Sequence, residues 1–469
     1  MAFRFLLSLL SVVVLAASTV TANAGGGGGT ITVPLSPFTN HLSSDPYKIL
    51  NNLATASISR ARHLKRPKHE ANNTSDVTKA SLYPHSYGGY SISLGFGTPP
   101  QTLPFLMDTG SSLVWFPCTS RYVCSQCAFP NRNPSQIHPF LPKLSSSSKV
   151  LGCKNPKCAW IFGSDVGSRC KDCDPSVRNC TQACPPYILQ YGSGLTGGVL
   201  MLETLDFSQK TVPNFLVGCS VFSMRQPAGV VGFGRSPESL PSQMGLNKFS
   251  YCLVSRRFDD KPVGSTMVLE SGSSSGDTKT KGLSYTPFHD NPVTSNSASQ
   301  DYFYVTLRKI IVGDKPVKVP YRYLVPGSDG NGGTIVDSGS TFTFMERPIF
   351  LAVAQEFVKQ MGNYSRATSV EFRSGLSPCF NISGQKSGDL PELIFHFKGG
   401  AKMALPVENY FAFVADSSVI CLTVVTDNAL SPGVSGGPAI ILGSFQQQNY
   451  YVEYDLLNKR LGFAKQSCV

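Results

Sequence analysis

Leu106-Met107-Asp108-Thr109-Gly110-Ser111-Ser112 returns 229 residues later as Ile335-Val336-Asp337-Ser338-Gly339-Ser340-Thr341. Each copy is an apolar run ending in Asp-[Thr/Ser]-Gly-Ser-[Ser/Thr], the pattern of a strand that delivers a carboxylate into a tight turn. One Asp-Thr-Gly is an ordinary Asx-type turn; two, each behind an apolar strand, are a repeat. A second matched pair strengthens it. Val230-Val231-Gly232 places its glycine 124 residues after Asp108, and Ile441-Leu442-Gly443 places its glycine 106 residues after Asp337. The repetition predicts two related lobes, each contributing one aspartate to a shared cleft.

Two carboxyl groups face to face cannot both ionise cheaply, so they share a proton and their titrations separate. The charged member can then act as general base on a water between them, while the protonated member donates to a substrate carbonyl. Such chemistry needs no cofactor, no metal and no covalent acyl-enzyme. Other constellations are weak. The seven His form no metal motif. Gly232-Phe233-Gly234 and Gly330–Gly333 lack the Lys and helix of a phosphate loop, and His396 lies in an apolar strand-like run.

Around these motifs the texture is that of strands and turns. Charged residues are only 15% of the chain, against roughly 25% in ordinary soluble domains, and Gly (43), Pro (33), Phe (29) and Tyr (18) abound. That mix favours an all-β fold. Tyr90–Leu94 alternates like a strand before the turn cluster Gly95–Pro100. Tyr187–Tyr191 and Leu195–Glu203 flank Gly192-Ser193-Gly194 and read as a hairpin with a Gly-rich tip. The exception is a helix over Pro348–Met361, with Ile349, Phe350, Val353, Ala354, Phe357, Val358 and Met361 on one face.

The N-terminus reads as a secretory signal over residues 1–24: Arg4, an apolar run from Phe5 to Leu15, and the cleavage pattern Ala22-Asn23-Ala24. Residues 25–79 have the texture of a removable pro-segment, against the plainer reading of a disordered arm. They hold the flexible run Gly25–Gly29, helical spacing over Lys48–Arg62 and a basic stretch from Arg60 to Lys68. The formal charge of +12 draws on this region, since residues 1–79 hold eight basic against three acidic side chains. With the rest spread thinly, a nucleic-acid partner is not expected. Neither is a membrane anchor, as no second apolar stretch reaches spanning length. Fourteen Cys in a secreted chain read as disulfides rather than zinc ligands, despite the spacings Cys124-x-x-Cys127 and Cys170-x-x-Cys173. Sequons at Asn72, Asn73, Asn179, Asn363 and Asn381 suit the same extracellular, cell-wall or vacuolar destination.

Taken together, Asp108-Thr-Gly-Ser-Ser-Leu-Val-Trp115, Tyr191-Gly-Ser-Gly194, Gly232-Phe-Gly-Arg235, Phe249-Ser-Tyr-Cys-Leu253, Asp337-Ser-Gly-Ser340 and Ile441-Leu-Gly-Ser-Phe-Gln-Gln-Gln-Asn449 resemble the pepsin family of aspartic peptidases. Within it, they resemble the Cys-rich, nepenthesin-type proteins of plants. The likeness covers about residues 85–469. It implies a bilobal double β-barrel with few short helices. The lobes would span 80–275 and 301–469, joined through 276–300, with a Cys-rich insertion at 118–184 that holds nine of the fourteen Cys.

The resemblance also implies roles. Asp108 and Asp337 would be catalytic, supported by Thr109, Gly110, Ser111, Ser338, Gly339 and Ser340. Tyr191, Gly192 and Ser193 would form a flap over substrate, with Trp115 behind the tyrosine. Cys379 and Cys421 would pair. Apart from the resemblance, the sequons read as glycan sites at Asn179, Asn363 and Asn381. The expected function is a secreted, monomeric aspartic endopeptidase acting on proteins or peptides. The alternative is a pepsin-fold protein with weak or lost catalysis that inhibits or binds a secreted glycoside hydrolase. Two departures stand out: Ser338 replaces the Thr of animal pepsins, and Ser193 replaces the Asp of many nepenthesin-type flaps.

Overall fold

Alternation of apolar and polar side chains builds the platform on which the first aspartate sits. Along the strand Gln101–Asp108, Leu103, Phe105 and Met107 are buried while Thr102 and Pro104 are exposed, as a half-buried strand requires. In the computed structural model, which describes residues 30–37, 45–65, 89–127, 137–173, 180–192, 194–207, 210–226, 228–255, 264–272, 279–292, 297–383, 390–414, 418–427 and 436–468, this strand lies in the middle of a 15-stranded sheet. It pairs antiparallel with Tyr90–Phe96 and parallel with Gly229–Gly232. Three smaller sheets, one of five strands and two of four, make up the second lobe. The molecule is thus a mostly β, two-lobed structure with few short helices.

The internal repeat is visible in the topology. In the first lobe Gly229–Gly232 runs between Gln101–Asp108 and Trp115–Pro117, with Gly232 opposite Asp108. In the second, Ile440–Leu442 runs between Thr334–Val336 and Thr343–Met345, with Leu442 opposite Val336. Each aspartate loop therefore leaves one strand, crosses the end of the inserted strand and continues into a third. The crossing is why a glycine ends the first inserted strand and directly follows the second: a Cβ on Gly232 would overlap the backbone of Ser112, and one on Gly443 would lie 2.5 Å from the Thr341 carbonyl oxygen.

The lobes are not separable units of chain. Tyr450–Asp455 and Arg460–Lys465, near the C-terminus, leave the second lobe and join the large sheet beside Lys248–Cys252 and Ser284–Pro287. Cys252–Cys468 closes the same junction. All fourteen Cys are paired in seven disulfides. Four lie within the 118–184 block, while Cys118 leaves it to bond Cys219. Cys379 and Cys421 sit opposite each other on adjacent strands and are bonded. The helix expected from Pro348 spans Arg347–Gln360 and buries Ile349, Val353, Ala354 and Phe357, but Val358, read as part of that face, is exposed.

Residues N-terminal to the first lobe are built into the molecule at two places. Thr30–Pro37 forms an interior strand between Tyr90–Phe96 and Ser265–Glu270, with Ile31, Val33 and Leu35 in the core. Pro46–Leu64 forms a helix capped by Asp45, whose side chain accepts from the Tyr47 N–H, with Pro46 in the first turn. Its apolar side, Leu50, Leu53, Ala54, Ala61 and Leu64, packs with Tyr302, Tyr304, Phe342, Phe344 and Phe445 of the second lobe. The signal segment, the run Gly25–Gly29, Asn179 and Ser193 lie outside the described residues.

Candidate active site

The two aspartates meet at the seam between the lobes, each buried and each held by the same set of donors. Asp108 Oδ1 accepts from the Gly110 N–H at 2.9 Å, and its Oδ2 accepts from the Ser111 hydroxyl at 2.6 Å. Asp337 Oδ1 accepts from the Gly339 N–H at 2.9 Å, and its Oδ2 accepts from the Ser340 hydroxyl at 2.7 Å. Donors fixed in this way hold a carboxyl in one orientation.

Thr109 and Ser338 fasten the two loops to each other. The Thr109 N–H donates to Ser338 Oγ at 3.1 Å and the Ser338 N–H donates to Thr109 Oγ1 at 2.9 Å. Each hydroxyl then donates back across the seam, Thr109 to the Val336 carbonyl at 3.3 Å and Ser338 to the Met107 carbonyl at 3.1 Å. The methyl that distinguishes Thr from Ser takes no part in these bonds, which is why a serine can stand in the second motif. All four groups are buried, so every bond left unmade here would cost about 1–3 kcal/mol.

The hairpin read from the sequence is formed by Tyr187–Gln190 and Leu195–Asp206. Tyr191 is buried, and its hydroxyl accepts from the Trp115 indole N–H at 2.6 Å. Burial pushes the Tyr191 phenol well up, and the charge of Asp108 adds to the effect. Gly192 stands next to it, and its lack of a side chain is required: a Cβ there would come within 2.6 Å of the Arg60 backbone.

Arg60 is the residue that the sequence reading did not place at the site. It lies in the basic stretch, but its position on the helix Pro46–Leu64 carries its side chain between the two aspartates. Its Nη2 donates to Asp108 Oδ1 at 2.6 Å and to Asp337 Oδ1 at 3.3 Å, and its Nε donates to Asp337 Oδ2 at 3.1 Å. One guanidinium thus spans both carboxyls, a geometry to which its fork of donors is suited and a lysine ammonium is not. Burial works against the Arg60 charge, but Asp108 and Asp337 outweigh it and hold the guanidinium firmly protonated. The Asp337 carboxyl is itself raised, first by burial and then by the charge of Asp108, with Arg60 and Ser340 opposing.

Two further basic residues of the same segment pair with acids of the body. Arg62 donates from Nε and Nη2 to the Asp427 carboxylate. Lys65 Nζ donates to Glu346 Oε1 at 2.6 Å and to the Pro438 carbonyl at 2.9 Å. Burial lowers the Lys65 ammonium, with Glu346 pulling it part of the way back. The sequence signal for all three pairings was present as Arg60–Lys68, but nothing in it named the acids they would meet. The cavity left beside the dyad is only about 20 Å³ and is bounded by Arg60, Asp108, Tyr191, Gly192, Gln226 and Gly339, so the helix fills much of the cleft.

Comparison with known proteins finds relatives along most of the chain. The sequence profile described as Xylanase inhibitor N-terminal matches residues 90–269, and that described as Xylanase inhibitor C-terminal matches 302–465. The chain is 33% identical to a probable aspartyl protease of Arabidopsis thaliana over 437 residues, 83% of this chain and 84% of the relative. It is 32% identical to the aspartic proteinase nepenthesin-1 of Nepenthes gracilis, over 87% of this chain and 84% of that one. Among solved structures, edgp superposes with a TM-score of 0.62 at 19% identity, covering 95% of this chain and 96% of its own. Basic 7S globulin from soybean superposes with a TM-score of 0.59 at 18% identity, covering 94% and 97%. At such identities these two speak for the fold alone.

Proposed function

This chain belongs to the pepsin-like aspartic proteases of plants, and on that premise we propose that it is a secreted endopeptidase made as a latent precursor, with Asp108 and Asp337 as its catalytic pair. The observation that carries the reading is that a single guanidinium bonds both carboxyls, at 2.6 and 3.1 Å. Two carboxyls that meet one guanidinium face the same small space, where one water can reach both.

In the open cleft, the ionised member takes a proton from the water as it adds to the scissile carbonyl. The protonated member donates to the developing oxyanion, and a proton passed to the leaving amine completes cleavage. Ser111, Ser340 and the Gly110 and Gly339 N–H groups hold the geometry, and Tyr191 on the flap covers the substrate and excludes water. Proteins and peptides are the substrates, and one chain carries both aspartates, so no dimer is required.

On this reading residues 25–79 are the pro-segment. With Arg60 on the dyad and the helix between the lobes, a substrate has no access, and the segment must leave before turnover. Cleavage of a denatured protein by the processed product at acid pH, with and without pepstatin, tests the proposal. Pepstatin-sensitive cleavage is expected. No cleavage by a folded, fully processed sample would overturn it and favour the alternative, a binder of a secreted glycoside hydrolase.

A further inference from the structure

The pro-segment is a ligand of the cleft supplied with the protein, and the groups that meet its side chains report what the emptied cleft can recognise. Arg60 reports the dyad. Lys65, one residue beyond the end of the helix, reports something the catalytic reading does not use. Its ammonium is buried, its side chain only 4% exposed, and it is held on three sides. Glu346 Oε1 accepts at 2.6 Å, the Pro438 carbonyl accepts at 2.9 Å, and the ring of Phe344 lies with its centroid 5.8 Å from Nζ.

A carboxylate, a neutral acceptor and an aromatic face are the three kinds of partner an ammonium group takes. Each has its own anchor in the body. Phe344 lies on the strand Thr343–Met345, in the lobe that bears Asp337. Glu346 is the N-cap of the helix Arg347–Gln360, where its backbone carbonyl accepts from the Ile349 and Phe350 N–H groups. Pro438 adjoins Ala439, whose N–H donates to the Gly333 carbonyl. None of these anchors needs the pro-segment in order to stand where it does.

We propose that Glu346, the Pro438 carbonyl and Phe344 form a substrate subsite selective for a lysine side chain in the enzyme released from its pro-segment. This rests on the reading that the helix leaves the cleft. Lys65 follows Arg60 by five residues, which on a helix is about 7–8 Å along the axis. An extended peptide covers that length in two or three residues. The subsite therefore takes a lysine two or three residues from the scissile bond. Arg62 on Asp427 is a less complete counterpart: its side chain is 40% exposed, so that pair discriminates less.

The test uses matched peptides that differ only by lysine or norleucine at the second and third positions on either side of the cleaved bond. For the processed enzyme, kcat/KM should favour lysine by tenfold or more at one of these positions. Glu346→Gln should bring the lysine-to-norleucine ratio close to one, and Glu346→Asp should restore part of it. A ratio near one in the wild type, or a ratio that survives Glu346→Gln, overturns the proposal.

The same peptides are bound calorimetrically to the processed Asp108→Asn protein, which separates this inference from the protease reading. Tighter lysine binding that is lost with Glu346→Gln supports the subsite even where no peptide is cleaved. Equal affinities for lysine and norleucine peptides overturn it even where all are cleaved.

Discussion

The two aspartate loops make the same hydrogen bonds in unlike surroundings. Around Asp108, Ser111 is only partly buried, and the hairpin supplies Tyr191, held by Trp115 of the strand Trp115–Pro117. Around Asp337, Ser340 is fully enclosed, and Phe342 and Phe445 pack edge-to-face in the adjoining core. Arg60 divides its fork unequally as well, with one bond to Asp108 and two to Asp337. A duplicated motif therefore sets the position of each carboxyl, while its neighbours set its titration. The expectation is that Asp337, pushed up by burial, holds the shared proton, while Asp108 lies on the side of Tyr191.

The strongest way to break this comparison is to neutralise each carboxyl in turn. Asp108→Asn and Asp337→Asn should each lower kcat by about a thousandfold or more, since general acid–base catalysis of this kind contributes roughly 10²–10⁴-fold. Normal turnover by either variant would remove it from the pair. Stability should separate the two roles. The folded Asp337 carboxyl titrates above its unfolded counterpart, so its contribution is fully present below about pH 4, the ordinary aspartate range, and is lost as pH rises through the raised value. Asparagine carries no such loss. In the processed protein, Asp337→Asn should therefore gain stability on the wild type as pH rises from about 4 to about 7, read by urea denaturation. A gap that does not change with pH would refute the assignment of the proton.

Both loops were legible in the sequence because their constraints are local. The apolar run, the Asp, the Gly and the hydroxyl lie within seven residues, and the glycine that ends or directly follows each inserted strand is forced by a backbone crossing. The hairpin of Tyr187–Gln190 and Leu195–Asp206 was legible for the same reason. The segment before Tyr90 was legible only in part. Helical spacing over Lys48–Arg62 showed that one face was apolar, but periodicity cannot say which surface covers that face, so Arg60 was read as part of a basic stretch. The interior strand Thr30–Pro37 has its own alternation, with Ile31, Val33 and Leu35 buried, yet stands beside a Gly run that drew the reading towards a linker. Disulfide partners were illegible wherever they joined distant elements, as in Cys118–Cys219 and Cys252–Cys468, because the fold brings those residues together.

Arg60 sharpens the comparison from the other side, because it is the only cation the described residues place on both carboxyls. Removing one partner from a buried ion pair costs about 3–5 kcal/mol, and Arg60→Met does so while keeping the side-chain bulk. The full-length variant, assayed before any cleavage, should show at least about tenfold more acid-dependent proteolysis than the uncleaved wild type. Equal latency in the two would mean that the bulk of the helix, rather than its charge, closes the site.

The smallest expected effects concern the hydroxyls. Ser340 and Ser111 make equivalent bonds to their aspartates, at 2.7 and 2.6 Å, but only Ser340 is sealed from solvent. Water can take the place of the Ser111 hydroxyl in Ser111→Ala, whereas Ser340→Ala leaves a buried oxygen of the Asp337 carboxyl short of a donor. A buried acceptor left without its donor costs about 1–3 kcal/mol, so Ser340→Ala should cut kcat by roughly tenfold or more and Ser111→Ala by less. The pH–rate profile separates this from mere loss of packing. Ser340 opposes the rise of the Asp337 titration, so removing it should move the fall of activity towards higher pH, while Ser111→Ala leaves that limb in place. If the limb moves in Ser111→Ala and not in Ser340→Ala, the assignments of the two carboxyls must be exchanged.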